Sequence, residues 1–249
     1  MRFVAISVAA LVVTLASPCV AQTTDPTVLT QLPGRWHCVT GGKSTAERYY
    51  VIEGSGKRVV VYGRKDVTLS DGRPSLEFEH LVLRAGAVTI EAPEGTTVAR
   101  VPGAPDAPTP PAATAAPDEL HIDYTVDGDT MRRIAVARGK TLDDEQCRRV
   151  EEPPFPTTCA QPNARARTLH AEAPDYPLAA RGLRSGQVVV LVRLDQHSRV
   201  YDARIFRSSN AVFNRAALGA AVLSTYQTEV RDCRPVAADY LFGVDFSER

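Results

Sequence analysis

The chain has 249 residues, which is enough for one or two domains with a buried core. Hydrophobic residues make up 44%, an ordinary fraction for a globular protein. The 29 lysines and arginines balance the 29 aspartates and glutamates, so the net charge predicts no surface for nucleic acid or anionic membrane. Two local basic pairs, Arg132-Arg133 and Arg148-Arg149, are interpreted as solvated faces.

The chain starts with the features of a secretory signal peptide over residues 1–21. Arg2 precedes a largely apolar run that ends in small residues up to Ala21, which predicts cleavage after Ala21 and a periplasmic or secreted protein. Pro18 stands just before Cys19, where a lipoprotein site needs a small residue, so lipidation is disfavoured. The alternative is an uncleaved inner-membrane anchor facing the periplasm, although the apolar run is short for a ~20-residue span.

Residues 28–150 have the pattern of an all-β domain. Short segments rich in β-branched and aromatic residues follow one another at regular intervals, separated by Gly and Asp turns. The predicted strands are Gly34–Val39, Arg48–Glu53, Arg58–Tyr62, Leu76–Leu83, Ala87–Ala92, Thr96–Val101, Leu120–Val126 and Met131–Ala137. This pattern predicts an antiparallel barrel or sandwich.

Proline marks two segments that cannot form regular strands. Pro102–Pro117 is low in complexity and rich in proline and alanine, which predicts an exposed extended loop within the β-domain. A domain linker is the alternative for this stretch. Residues 151–158 contain three further prolines, which exclude regular ladders, and we interpret them as the linker to a second domain, residues 159–249.

The cysteines predict disulfide bonds. After cleavage four cysteines remain, widely spaced and without a C-x-x-C motif, which favours disulfides in an oxidising compartment over a metal or redox site. Four cysteines allow three pairings. The predicted domain boundary favours Cys38–Cys147 in the first domain and Cys159–Cys233 in the second.

The start of the β-domain, Leu32-Pro33-Gly34-Arg35-Trp36, is similar to the Gly-x-Trp start of lipocalin-type barrels. That similarity implies a small apolar ligand held in a hollow barrel. A tryptophan buried at a barrel end accounts for the same residues without a ligand. Ligand binding is therefore an alternative that requires a hollow interior.

No sequence pattern is typical of an enzyme. The chain lacks a Gly-rich phosphate loop, a G-x-S-x-G motif and an H-E-x-x-H motif. The five histidines are isolated, and the acidic run Asp143-Asp144-Glu145 is interpreted as a solvated turn. Ser208-Ser209 has no base beside it and is interpreted as turn and cap. We therefore predict no catalytic, cofactor-binding or metal-binding residues.

The C-terminal region predicts an α+β module. A short helix is expected over Leu178–Leu183, followed by two antiparallel strands, Gln187–Leu194 and Val200–Phe206. Val212–Tyr226 has apolar residues at three-to-four spacing, which predicts a second helix with a narrow, alanine-rich stripe. Asp239–Phe246 is the last predicted strand, with Tyr240, Phe242, Val244 and Phe246 on one face.

This order of elements resembles the TonB C-terminal domain family over residues 173–249. The residues that carry the resemblance are Tyr176-Pro177, Ala180, Gly182, Gly186, Val188, Val190, Ser208-Ser209, Phe213, Ala216-Ala217-Leu218 and the final aromatic strand. The resemblance implies a three-stranded antiparallel sheet backed by two helices. It also implies that the last strand binds a short extended segment of an outer-membrane receptor by strand addition. By position, this edge comprises Asp239, Tyr240, Leu241, Phe242, Gly243, Val244, Asp245 and Phe246.

The resemblance leaves alternatives for the whole chain. The first is a non-catalytic, exported protein that binds envelope or outer-membrane transport proteins. The second is an anchored energy transducer that also contacts inner-membrane motor proteins, although at ~3.1 Å per residue the Pro-rich stretch is short for a periplasmic spacer. An exposed edge can also pair two copies of the chain, so a homodimer is a further alternative.

Overall fold

The computed structural model describes most of the chain, with gaps. The described residues are 26–41, 44–55, 58–68, 74–84, 87–91, 120–137, 139–183 and 185–247. The predicted signal peptide, the predicted strand Thr96–Val101 and the Pro/Ala-rich stretch Pro102–Pro117 lie outside these residues. Among the described residues, no helix is both long and apolar enough to cross a membrane.

Among the described residues, eight antiparallel strands form the N-terminal sheet. A 3-10 helix, Pro26–Thr30, precedes it. The strands are β1 Gly34–Thr40, β2 Ser44–Ser55, β3 Arg58–Thr68, β4 Pro74–Arg84, β5 Ala87–Glu91, β6 Leu120–Asp127, β7 Thr130–Ala137 and β8 Lys140–Val150. Their order across the sheet is β5-β4-β3-β2-β1-β8-β7-β6, so β1 lies between β2 and β8. The sequence pattern does not predict β8, because its acidic run is typical of a solvated turn.

The N-terminal sheet curls strongly. Strands β4 and β6 are six positions apart, which is about 29 Å in a flat sheet with ~4.8 Å between strands. The hydroxyl of Tyr124 on β6 nevertheless donates to Glu79 on β4 at 2.7 Å. No pairing joins β5 to β6 among the described residues. The predicted barrel or sandwich is therefore an open half-barrel in the part of the chain that the structure describes.

Trp36 belongs to the buried apolar cluster of this sheet. Its side chain is fully buried, and its Nε1 donates to the carbonyl of Leu32 at 2.8 Å. The guanidinium of Arg149 lies 4.1 Å from the Trp36 ring and donates to the carbonyls of Pro33 and Gln31. Arg149 therefore has a packing role that its interpretation as part of a solvated face did not include.

The C-terminal module contains a three-stranded antiparallel sheet in the order β11-β10-β15. Its elements are β9 Arg167–His170, β10 Ser185–Leu194, β11 Val200–Ser208, α1 Asn214–Leu223, β12 Thr225–Gln227, β13 Glu229–Arg231, β14 Arg234–Val236 and β15 Ala238–Ser247. The central strand β10 has a dense run of β-branched residues, and its alternate side chains from Val188 to Leu194 are fully buried. The predicted three-stranded sheet is thus present.

The two predicted helices of this module are shorter than expected. The first is a single 3-10 turn, Leu178–Ala180, after which Gly182 adopts φ 89°. The second begins as a 3-10 turn, Ala211–Phe213, and continues as α1. Helix α1 ends before Ser224, whose backbone is extended, and the next residues form β12 against β9. The structure therefore has one short α-helix where the sequence predicted two helices.

The N-terminal sheet and the C-terminal module share a packed boundary. Leu76 and Phe78 of β4 pack with the buried cluster of the module, which includes Phe213 and Val190. Polar contacts surround this boundary: Arg193 of β10 pairs with Glu53 of β2 at 2.6 Å. Tyr201 also donates to Glu53, at 2.5 Å.

Two disulfides link distant parts of the chain. Cys38–Cys147 joins residues that face each other directly across β1 and β8. Cys159–Cys233 joins the segment before β9 to the turn between β13 and β14. Both pairings are those that the domain boundary favoured.

Candidate partner-binding edge

Strand β15 is held in place by alternate side chains on its inner face. Phe242, Val244 and Phe246 are buried. The Phe246 ring stacks on Phe213, which precedes α1, with centroids 4.6 Å apart. Tyr226 of β12 meets Phe242 edge to face at 6.0 Å. Each buried aromatic ring removes a large apolar area from water, so this face fixes β15 on the core.

The backbone of β15 pairs with one neighbour. It pairs with β10 over ten residues, from Ala238 opposite Leu194 to Ser247 opposite Ser185. Because β15 is the last strand of the three-stranded sheet, half of its N–H and C=O groups point away from β10. The structure pairs them with no further strand among the described residues. All eight predicted edge residues, Asp239–Phe246, lie in this strand.

The opposite end of the same sheet is less open. Strand β11 begins beside the N-terminal sheet, where Arg64 of β3 donates to the carbonyl of Val200 at 3.0 Å. Tyr201 is buried there and lies 5.5 Å, ring to ring, from Tyr62 of β3. The first part of β11 is therefore occupied by contacts within the chain, and β15 is the more accessible edge.

A buried ion cluster lies inside the curl of the N-terminal sheet. Its anions are Glu79, Asp143 and Glu145, and its cations are Arg48, Lys65 and Arg133. Arg48 donates to Glu145 at 2.5 Å, and Arg133 lies 2.9 Å from Glu79. Lys65 lies 3.1 Å from Asp143. Three positive and three negative side chains thus compensate one another away from water.

The environment of Glu79 shifts its pKa. Burial by itself raises the pKa of this carboxyl, but the charges of Arg133 and Arg48 and hydrogen bonds from Tyr124 and Tyr50 outweigh the burial. Together they lower the pKa of Glu79 from 4.5 to about 2. Burial raises the pKa of Tyr124, and the nearby Glu79 carboxylate raises it further. Glu79 is therefore ionised at neutral pH.

Two sequence interpretations are wrong at this cluster. The acidic run Asp143-Asp144-Glu145 is part of β8 and not a solvated turn, and Glu145 is fully buried. Only Asp144 points outward, to the exposed Arg132 at 2.8 Å. Arg133, predicted on a solvated face, is only 7% exposed. Strict alternation of charge inward and outward along β7 and β8 was the available signal, and it requires knowing that both segments are strands.

The interior of the curled N-terminal sheet is relevant to the alternative in which this domain carries a small ligand. The ion cluster and the buried rings of Tyr50, Tyr124 and Trp36 occupy the described part of the curl. A small apolar ligand needs a hollow, apolar interior, so the filled and charged interior of the described strands argues against ligand carriage there. Cys38, Glu145 and Cys147 lie together there, but both sulfurs belong to the disulfide and are not available to a metal ion.

A cleft of about 500 Å³ lies between the N-terminal sheet and the module. Its charged lining is already paired: Arg64 binds Asp66 at 2.6 Å, and Arg199 binds Asp195 at 2.7 Å and also contacts Glu152. The remaining lining includes Val222 and Tyr226 of the module. Glu47 of the lining binds Arg35 at 3.0 Å, and His197 binds Glu152 at 2.6 Å. No charged group of the described lining is therefore left unpaired for a ligand.

Comparison with known proteins agrees with the geometry of the module. No curated protein matches the chain. The sequence model of the family described as Gram-negative bacterial TonB protein C-terminal matches residues 172–247, less than one third of the chain. That family is a non-catalytic energy-transducer domain of the cell envelope. The match spans the elements from β10 to β15 and so includes the edge strand. Residues 172–247 of this chain therefore match the family that the sequence resembles over residues 173–249.

Proposed function

We propose that this chain is a non-catalytic, exported TonB-like protein that binds an envelope or outer-membrane transport protein by strand addition. The observation that carries the proposal is the position of β15 at the end of its sheet, in a region that matches the TonB C-terminal family. An extended segment of the partner would pair with Asp239–Phe246 and continue the sheet as a fourth strand.

The proposal includes the compartment and the domain division. Two disulfides are consistent with an oxidising compartment, and the family match points to the envelope. We propose cleavage of residues 1–21 and a periplasmic mature protein with a β-domain, residues 28–150, a linker, residues 151–158, and the module. Mass analysis of the mature N-terminus tests this part: a start at Gln22 supports it, and an uncleaved chain contradicts it in favour of the anchored transducer.

Backbone-modified peptides test strand addition directly. The full mature chain is titrated with ten-residue extended peptides from periplasm-facing segments of outer-membrane receptors. Each binding peptide is then compared with two copies that carry N-methyl groups at alternate residues, in complementary frames. All copies keep the same side chains, but one frame cannot donate hydrogen bonds to β15. We expect that frame to lose binding at least tenfold and the other frame to retain it.

Hydrogen exchange locates the contact in the same complex. Amides of Asp239–Phe246 that point away from β10 should exchange more slowly when the unmodified peptide is bound. Equal binding by both N-methylated frames would contradict strand addition. Protection at β5 or β6 without any change in β15 would place the contact on the N-terminal sheet instead.

A further inference from the structure

We infer that the β15 edge selects partner segments that carry two positively charged side chains six residues apart, with apolar side chains between them. The inference rests on the proposed strand addition and adds the chemistry of the partner. It follows from the outward row of β15, which consists of an acidic residue, an apolar residue, a glycine without a side chain and a second acidic residue.

The outward row consists of Asp239, Leu241, Gly243 and Asp245. All four are exposed, while the alternate residues of the strand face the core. At ~3.4 Å per residue, the two aspartates lie about 20 Å apart along the strand. A strand added to β15 would place its own outward side chains directly opposite these four residues, about 5 Å away.

The two aspartates leave negative charge at both ends of the row. The contact of Asp245 across the sheet is the neutral amide of Gln187, at 3.1 Å. Asp239 lies 3.4 Å from Arg193, but the same guanidinium also binds Glu53 at 2.6 Å. One arginine therefore serves two carboxylates. Directly opposite like charges destabilise a strand pair and opposite charges stabilise it, so this row disfavours acidic partners and favours basic ones.

The middle of the row favours apolar partner residues. Leu241 is 50% exposed, which leaves half of an apolar side chain without cover. A Cβ placed on Gly243 would meet nothing within 4 Å, so the space beside this residue is open. A large apolar side chain of the partner can cover Leu241 and lie over Gly243, since cross-strand packing beside a glycine restores lost contact area.

The spacing is independent of strand direction. Asp239 and Asp245 are six residues apart, so the partner's basic residues are at positions i and i+6 in both parallel and antiparallel pairing. The residue opposite Leu241 is at i+2 in one direction and i+4 in the other. A segment with apolar residues at both inner positions satisfies either direction.

Three synthetic peptides test this selection on the full mature chain. They share Leu at positions 3 and 5 and alternating Thr and Val at the positions between, and they differ only at positions 1 and 7. These two positions are Arg, Gln or Glu. We expect affinity in the order Arg, Gln, Glu, with roughly 2- to 30-fold between the Arg and Gln peptides for two cross-strand pairs. The difference should shrink as salt is raised.

Near-isosteric variants assign the effect to the two aspartates. The double variant Asp239→Asn and Asp245→Asn should bind the three peptides with similar affinity, and its circular dichroism should match that of the unmodified chain. Glu151→Gln removes an exposed acid outside the three-stranded sheet and should retain the full preference. A preference that survives the double variant would overturn the inference.

The outcomes separate this inference from the function on which it rests. If all three peptides bind equally to the unmodified chain and protect β15 from exchange, charge selection is refuted and strand addition stands. If none of them binds, and no receptor-derived peptide binds, strand addition is refuted and this inference with it.

Discussion

At the scale of single residues, neighbouring side chains on one strand have opposite environments. Glu145 is fully buried against Arg48 at 2.5 Å, whereas Asp144 is exposed and pairs with the exposed Arg132. A buried ion pair gains from attraction at low dielectric but leaves a costly charge behind when one partner is removed. An exposed pair is screened by water and contributes little.

Adjacent substitutions on β8 provide a matched test of this contrast. Glu145→Gln leaves Arg48 without its closest anionic partner in a buried site and should lower the free energy of unfolding by about 3–5 kcal/mol. Asp144→Asn removes a charge one residue away and should leave stability nearly unchanged. Both are measured by denaturant unfolding followed by the fluorescence of Trp36, the single tryptophan of the chain. Equal effects of the two variants would contradict the buried pairing.

The lowered pKa of Glu79 predicts that the folded chain loses stability in acid. Because its folded-state pKa of about 2 lies below the ordinary value of 4.5, the ionised carboxylate stabilises the folded chain fully above about pH 4.5. This contribution is lost as the pH falls from about 4.5 towards 2. Glu79→Gln should be less stable at pH 7 and should show a smaller decline in stability over that acidic range. Parallel declines in the two proteins would show that Glu79 does not have the lowered pKa.

At the scale of elements, the contact of β10 with the segment before α1 depends on Gly186, because this residue has no side chain. A Cβ on Gly186 would lie 2.2 Å from the ring of Phe213, which is fully buried and stacked on Phe246. The ring has little room to move away, because it is fully buried, stacked on Phe246 and in edge-to-face contact with Tyr176 at 5.8 Å. Gly219 of α1 differs, since a Cβ there would meet nothing within 4 Å.

Alanine substitutions at these two glycines should therefore change the stability of the chain in opposite directions. Gly186→Ala should destabilise the C-terminal module by about 1–3 kcal/mol through overpacking against Phe213. Gly219→Ala should stabilise the chain by up to about 1 kcal/mol, because alanine is the better helix former in the interior of α1. Thermal unfolding of both variants measures the effect. A neutral Gly186→Ala would mean that β10 and Phe213 are further apart than the structure places them.

At the scale of the whole molecule, the N-terminal sheet and the C-terminal module stabilise each other. Leu76 belongs to β4 by sequence but packs in the core cluster of the module. Glu152, just after β8, pairs with His197 at 2.6 Å and with Arg199, both beside the turn between β10 and β11. These contacts couple the position of the β15 sheet to the N-terminal sheet.

A core substitution on β4 should consequently reduce the hydrogen-exchange protection of the module. Leu76→Ala should lower the free energy of unfolding by about 2–5 kcal/mol, the range for a large-to-small change in a buried site. Amides of β10 should lose hydrogen-exchange protection along with those of β4. Tyr49→Phe serves as a control, because it keeps the ring that Arg199 covers at 4.2 Å. Unchanged protection of β10 in Leu76→Ala would show that the two parts are independent.

Local pattern determined much of this protein from the sequence. Period-two alternation and β-branched residues predicted seven of the N-terminal strands that the structure describes and the three strands β10, β11 and β15. The order of elements and a few residues also predicted the resemblance to the TonB C-terminal family, whose model matches residues 172–247. Both predictions depend on residues that are close together in the sequence, because strand periodicity and turn chemistry are local properties.

Tertiary structure decided what the same residues contact. The curl of the N-terminal sheet brings β4 beside β6 and β7, so that Glu79 meets Arg133 and Tyr124 from distant parts of the sequence. No local pattern marks Arg133 as buried and Arg132 as exposed until the strand register is known. Likewise, the local pattern predicted β15 only as a strand, and its edge position followed from the family resemblance alone. The strand order decides this position, because an edge strand has a paired neighbour on one side only.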